Sequence, residues 1–148
     1  MDMAEYGGLV AGWLNLTHMQ ANTAGKLEQA LQEKHQMSLK EFYMLLFLSE
    51  APGKKLRLQQ LESMVGLSQS AMSRLVSRFE AKGCGALQRH ICEADRRSIY
   101  TSLTPLGQEK VDRAYGTFQS VLLESLPVRE LEQTLRALLN AKNADAGS

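Results

Sequence analysis

The 148-residue sequence lacks the features of several large protein classes. It contains no apolar run long enough to cross a membrane, so a membrane protein is not expected. Two cysteines cannot form a disulfide framework, and the N-terminal residues lack the basic segment of a secretory signal. These absences predict a reduced, cytoplasmic protein. Only three prolines interrupt a leucine-rich sequence, which favours a mostly helical fold.

The sequence also lacks a recognisable catalytic or metal-binding arrangement. Its three histidines are scattered, and no glycine-rich phosphate loop or paired metal motif is present. His90, Cys92 and Glu93 lie close together, but adjacent residues of a strand point to opposite sides, and a tetrahedral metal site needs more ligands. We therefore expect no enzyme activity, no cofactor and no metal.

The chain is organised around a predicted helix, tight turn and second helix within residues 58–104. Gly66 is suited to the positive φ at which the first helix ends, and Ser68 takes the N-cap position of the second. The second helix then repeats apolar residues at helical spacing, which predicts one buried stripe: Met72, Leu75, Val76 and Phe79.

The opposite face of this second helix is made of short polar and cationic side chains. Such a face suits the major groove of DNA, and the alternative is an ordinary solvated face of an amphipathic helix. The candidate DNA-binding residues on this helix, with its N-cap, are Ser68, Gln69, Ser70, Ser73, Arg74, Ser77 and Arg78.

Short alternating runs follow the helices and predict a β-hairpin. Residues 86–90 form its first strand and residues 98–103 its second, with Ile99, Thr101 and Leu103 on one face. The polar loop between the strands bears arginines. A short third strand is predicted near residues 56–58. A helix-turn-helix followed by such a hairpin predicts a winged helix, whose wing can reach the minor groove or its phosphates.

Positive charge is concentrated on this segment. From Lys54 to Arg113 there are eleven Lys and Arg residues and six Asp and Glu residues, whereas the rest of the chain has six and ten. The net charge of the whole chain is only +1. An anionic partner for the predicted winged helix explains this asymmetry best.

Together these motifs resemble the MarR family of bacterial transcription regulators. The resemblance lies in Gly66-Leu67-Ser68, in the serine- and arginine-bearing second helix, and above all in Asp95-Arg96-Arg97 running into Leu103-Thr104-Pro105-Leu106-Gly107. Departures are Glu62, where an alanine is usual, and a longer helix-to-wing junction at residues 83–86.

The resemblance implies a sequence-specific regulator of transcription, expected here to be a repressor, that binds a pseudo-palindromic operator in double-stranded DNA. It also implies that Asp95 holds Arg97, and that Arg97 enters the minor groove. A carboxylate two residues away along a strand lies on the same side and can orient a guanidinium. The alternative is a solvent-exposed ion pair without further function. The DNA-binding candidates of the hairpin are Arg89, Asp95, Arg96 and Arg97.

The helices at both ends carry more apolar surface than a small winged lobe needs. We expect a single domain over residues 1–148, with a DNA-binding lobe at 39–104 that includes a linking helix at 39–50. Helices at 9–35 and 105–142 would form a homodimer with a second copy, as the resemblance also implies. The alternative is that these apolar stripes close on the core of the monomer.

Family members commonly respond to small aromatic or anionic effectors, and four residues are candidates for such a site. Trp13 and Thr17 lie on the first helix, and Tyr43 and Phe47 on the second. Trp and Tyr combine an apolar body with a polar tip, which suits a pocket wall, although aromatic residues at helical spacing also form cores.

Two further alternatives remain open at this stage. Cys84 and Cys92 flank the first wing strand, and oxidation of either could distort the wing, which would make the protein a redox-responsive regulator. The other alternative is a winged-helix adaptor that binds proteins rather than DNA.

Overall fold

The computed structural model describes residues 7–80, 83–91 and 99–146. It confirms a mostly helical fold with a small antiparallel sheet. The elements in chain order are α1 (Gly7–His35), α2 (Leu39–Glu50), β1 (Lys55–Arg57), α3 (Leu58–Val65), α4 (Gln69–Phe79), β2 (Leu87–Ile91), β3 (Ile99–Leu103), α5 (Pro105–Ser125) and α6 (Val128–Ala146), and a 3-10 turn at Pro52–Lys54 lies between α2 and β1. None of the helices in these ranges is long and apolar enough to span a bilayer.

The chain divides into two compact units, of which the first consists of Met1–Gln29 and Gln119–Ser148. Within this unit α1 and α6 pack closely, because a Cβ atom added to the buried Gly12 would lie 3.0 Å from the side chain of Leu138. Much of its apolar surface is solvent-exposed in the single chain. The large exposed apolar residues are Leu9, Val10, Trp13, Leu14, Leu123, Val128, Leu135 and Leu139.

The second unit, Ala30–Phe118, contains the winged helix. Helix α2 starts with the predicted capping box, in which Ser38 and Glu41 satisfy each other's backbone N–H groups. The helix is apolar nearly all round, and it is correspondingly buried. The core of this unit includes the fully buried side chains of Phe42, Met44, Leu45, Leu48, Leu61, Met72, Val76 and Leu87.

The three strands form an antiparallel sheet in the order β1-β3-β2. Thr101 and Leu103 are buried, and Ile99 on the same face is half-buried, which confirms the predicted alternation. Tyr100 and Ser102 therefore lie on the outward face.

β1 (Lys55–Arg57) and β2 (Leu87–Ile91) are each shifted by one residue from the predicted ranges 56–58 and 86–90. β1 ends at Arg57 rather than at residue 58, because the Gln60 side chain accepts a 2.9 Å hydrogen bond from the Arg57 N–H and so begins α3 at Leu58. β2 begins at Leu87 rather than at Ala86. The Ala86 carbonyl accepts from the Thr104 N–H at 3.0 Å, and Gly107 at the start of α5 approaches it so closely that an added Cβ would lie 2.2 Å from its oxygen.

Candidate nucleic-acid interface

The turn between α3 and α4 is held by three short contacts. Gly66 adopts a left-handed conformation with φ of 81°, and its N–H donates to the Glu62 carbonyl at 2.9 Å. The Lys40 ammonium donates to the carbonyl of Val65 at 2.9 Å, which satisfies a free acceptor at the end of α3. The Ser68 hydroxyl accepts from the Ala71 N–H at 3.2 Å and caps α4 as predicted.

Helix α4 buries one face and exposes the other. Met72, Val76 and Phe79 are buried, and Leu75 is half-buried. At 3.6 residues per turn, Ser70, Arg74 and Ser77 occupy the centre of the opposite face. Of the predicted DNA-binding residues on this helix and its N-cap, Ser73 is half-buried and the others are exposed: Ser68, Gln69, Ser70, Arg74, Ser77 and Arg78.

Arg89 lies against α4 from the wing strand β2. It forms an ion pair with Glu80, and its Nη2 donates to the Ser73 carbonyl at 3.0 Å and to the Ser77 hydroxyl at 2.8 Å. Only 29% of its side chain is exposed. These contacts make Arg89 a positioning residue that fixes the C-terminal half of α4 to the sheet, and a direct contact of Arg89 with DNA stays a prediction.

Arg78 is held from the other side of α4 by a buried carboxylate. Its Nη1 lies 3.1 Å from Oε2 of Glu41, and the Glu41 side chain is only 2% exposed whereas that of Arg78 is 68% exposed. Oε1 of the same carboxylate accepts a 2.6 Å hydrogen bond from the Ser38 N–H. The sequence shows the local capping role of Glu41, but no sequence signal indicates its pairing with Arg78.

The outward face of the sheet contains a group of functional candidates that the motifs did not single out. Lys55 and Arg57 of β1 lie beside the ring of Tyr100, and Arg57 Nε donates a 3.0 Å hydrogen bond to the Tyr100 hydroxyl. His90 of β2 lies on the same face, where Nε2 is 2.8 Å from the Ser102 hydroxyl. The sequence signal that could have indicated this group is the alternation of cationic residues along β1.

The remaining wing candidates, Asp95, Arg96 and Arg97, lie outside the residues that the structure describes, as does Cys92. Cys84 is half-buried, with its sulfur 3.8 Å from the Phe79 carbonyl oxygen. Within the described ranges, no three His, Cys, Asp or Glu side chains are grouped so as to hold a metal ion.

The four predicted effector residues fall into two pairs, one in each unit. In the first unit, Trp13 is 62% exposed and its carbonyl accepts from the Thr17 hydroxyl at 2.9 Å. In the second unit, the ring centroids of Tyr43 and Phe47 are 6.3 Å apart, and Tyr43 also packs edge-on against Phe118 at 6.1 Å. Burial raises the pKa of Tyr43. Aromatic packing thus accounts for the Tyr43 pair, and an effector site stays a prediction.

His35 at the end of α1 has an environment that disfavours its charged form. Its Nε2 lies 2.8 Å from the Thr117 hydroxyl. Burial lowers the pKa of the imidazole, and the neighbouring charges of Lys34 and Arg113 lower it further.

The fold and the exposed face of α4 define a winged helix-turn-helix protein. Residues 35–98 match the model of the MarR family. The solved structure of Sco3205, a MarR family transcriptional regulator from Streptomyces coelicolor in complex with DNA, is similar with a TM-score of 0.73 and 22% identity, over 90% of this chain and 82% of that one. These matches confirm the resemblance to the MarR family that the motifs predicted.

Two further solved structures show the same fold. A MarR-like regulator from Bacillus cereus is similar with a TM-score of 0.72 and 20% identity, over 90% of this chain and 94% of that one. Wild-type MarR from E. coli is similar with a TM-score of 0.68 and 18% identity, over 85% of this chain and 91% of that one. No curated protein matches the chain in sequence.

Proposed function

We propose that the protein is a cytoplasmic, homodimeric transcription regulator that binds a pseudo-palindromic operator in double-stranded DNA. The observation that carries this proposal is the solvent-exposed polar and cationic face of α4, on a helix anchored through its buried stripe, Arg89 and Glu41. A helix fixed in this way presents its outer side chains with little loss of conformational entropy on binding. The similarity to Sco3205, which was solved with DNA, supports the same conclusion.

The exposed face of α4 divides between two proposed roles. Ser70, Arg74 and Ser77 at the centre of the exposed face would read base edges in the major groove. Arg78 lies nearer the edge of this face, where its pairing with Glu41 suits contact with a flanking phosphate. In the wing, Arg97 held by Asp95 would enter the minor groove.

The exposed apolar residues of the first unit support a homodimer. Monomeric proteins rarely leave large contiguous apolar patches in water, and a second copy would cover the exposed side chains of α1 and α6. Dimeric helix-turn-helix proteins bind two half-sites about one DNA turn apart, so a two-fold dimer suits an inverted-repeat operator.

We propose that the protein represses transcription and that a small aromatic or anionic effector relieves this repression. The resemblance to the MarR family supports this mode of regulation. Such an effector must bind more tightly to a form of the dimer that does not fit the operator, because only differential affinity can shift an equilibrium between two forms.

The proposal is tested by selecting operators from a random pool of duplexes. We expect an inverted repeat, bound with a steep dependence on salt because phosphate neutralisation releases counterions. Arg74→Ala should weaken binding by about 1–3 kcal/mol and relax the preference at one position of each half-site. Arg136→Ala is the matched control, since Arg136 is an exposed arginine of α6 paired only with the exposed Glu132 among the described residues.

The outcomes separate the proposal from its rivals. Folded protein that enriches no sequence and shows a flat salt response would favour a protein-binding adaptor. Enrichment of an operator whose binding is unchanged in both Arg74→Ala and Arg97→Ala would refute the assigned roles in the two grooves.

A further inference from the structure

Two consecutive residues at the start of α2 contact the chain on either side of α4. The Lys40 ammonium donates to the carbonyl of Val65, the last residue of α3, at 2.9 Å. The Glu41 carboxylate lies 3.1 Å from the guanidinium of Arg78, near the end of α4. Lys40 thus acts where the chain enters the turn before α4, and Glu41 acts where the helix ends. The orientation of α4 therefore depends on the first turn of α2.

The polar contacts between α4 and other described elements begin only at Ser73. The carbonyl of Ser73 and the hydroxyl of Ser77 accept hydrogen bonds from Arg89 on β2. Arg78 then pairs with α2. At the other end of the helix, the Ser68 hydroxyl accepts only from the first turn of α4 itself. The N-terminal half of α4 is therefore held by its apolar contacts and by the turn that precedes it.

That turn contains a residue with unusual backbone freedom. Gly66 is exposed and has a φ of 81°, and glycine adopts positive and negative φ with similar ease. A turn through glycine therefore restrains the angle between two helices only weakly. Lys40 bonds the carbonyl of the preceding residue, and its Nζ lies 3.7 Å from the position that a Cβ atom of Gly66 would have. Lys40 thus holds the backbone at its most permissive point.

Small changes in the tilt of α4 are large on the scale of a contact with a base. The helix has 11 residues and is therefore about 16 Å long, at about 1.5 Å per residue. A tilt of about 10° around its C-terminal end moves its N-terminal end by about 3 Å. A recognition site tolerates errors of only about 0.5 Å. Hydrogen bonds from Ser70, which lies in the N-terminal half, would be lost first.

We propose that Lys40 is a positioning residue for sequence recognition, because it holds the N-terminal half of α4 at the angle at which Ser70 reads a base edge. This inference rests on the proposed DNA-binding function and assigns to Lys40 no contact with DNA. Because Lys40 is exposed, a direct contact with a phosphate is the competing role. The two roles differ in their effect on base preference and on salt dependence.

The test compares Lys40→Met with wild-type protein on the selected operator and on duplexes with one base pair changed. Methionine is nearly as long as lysine but has no donor for the Val65 carbonyl. Lys40→Gln repeats the test with a polar side chain, and Lys40→Arg keeps a charged donor. Lys26→Met is the matched control, because it removes an exposed lysine of α1 in the first unit. Melting temperatures confirm that all variants are folded.

The expected effect is a loss of base preference at a subset of positions. Wild type should bind the operator about 5–150-fold more tightly than a duplex with one wrong base pair. Lys40→Met should lose most of this preference at the base pairs that Ser70→Ala also relaxes, and keep it elsewhere. Lys40→Arg should restore it. The slope of log affinity against log salt should stay as in wild type, whereas loss of one phosphate contact per half-site would flatten it by about 1.8.

Four results would overturn the inference. Unchanged base preference in Lys40→Met would mean that the turn and the apolar stripe suffice to hold α4. A flattened slope with equal loss on every duplex would make Lys40 a phosphate contact. Failure of Lys40→Arg to restore the preference would exclude the hydrogen bond as its cause. An equal effect of Lys26→Met would make it a general charge effect. All four leave the proposed function intact, whereas wild-type protein that enriches no operator would refute the function itself.

Discussion

Truncation of Glu41 should destabilise the winged helix more than its position in the first turn of a helix suggests. The carboxylate is 2% exposed, caps α2 through the Ser38 N–H, and pairs with Arg78 on α4. Glu41→Ala removes all three contributions at once. Glu41→Gln keeps the shape and can still accept the capping hydrogen bond, so it isolates the ion pair.

The size of the effect follows from these contacts. Loss of the reciprocal cap costs about 1 kcal/mol, and loss of a buried methylene costs about 0.8 kcal/mol. The ion pair contributes at most about 1 kcal/mol, because the Arg78 side chain is largely in solvent. We therefore expect the free energy of unfolding to fall by about 2–3 kcal/mol in Glu41→Ala and by about 1 kcal/mol in Glu41→Gln.

Urea unfolding at one fixed protein concentration measures these changes, since the stability of a dimer depends on concentration. Glu132→Ala is the control. It breaks an exposed pair with Arg136 four residues away on α6, which contributes about 0.3–0.5 kcal/mol. The reasoning would be refuted if Glu41→Ala cost no more than Glu132→Ala.

Two further predictions concern packing and pH. Gly107→Ala should destabilise the protein by at least about 2 kcal/mol, because the added Cβ would lie 2.2 Å from the Ala86 carbonyl oxygen. Gly25→Ala, with open space around its Cβ, should instead stabilise α1 by about 0.5–1 kcal/mol, and equal effects would contradict this. Folding lowers the pKa of His35, so its protonation favours the unfolded chain. When the pH is lowered from about 7.5 to about 5, the free energy of unfolding measured with urea should fall further in wild type than in His35→Gln. An equal fall in both proteins would contradict the lowered pKa of His35.

Features that depend on neighbours a few residues apart could be predicted from the sequence. The capping box of α2 needs only Ser38 and Glu41 at the right spacing. The turn needs a glycine at position 66, and the buried stripe of α4 needs apolar residues at a period of 3.6. The hairpin follows in the same way from a period of two. These periodicities also predicted which face of α4 is exposed, and that face is the main part of the candidate site.

Contacts between distant parts of the chain could not be predicted in this way. Glu41 and Arg78 are far apart in sequence, and only the packing of α2 against the helix-turn-helix brings the carboxylate to the guanidinium. Arg89 was predicted to contact DNA because it is cationic and lies on the wing. The structure shows that it also holds α4 through Ser73 and Ser77.

The sequence by itself determined the helix-turn-helix, the hairpin and the exposed polar face of α4, because each of these depends on the local geometry of one or two adjacent elements. Only the tertiary structure decided how the charges are used. The strand order β1-β3-β2 places Lys55 and Arg57 beside Tyr100, and the packing of β2 on α4 gives Arg89 an acidic partner. The physical reason is that a periodic pattern specifies which face a side chain occupies, whereas the partner of a charge is specified by the elements that pack against that face.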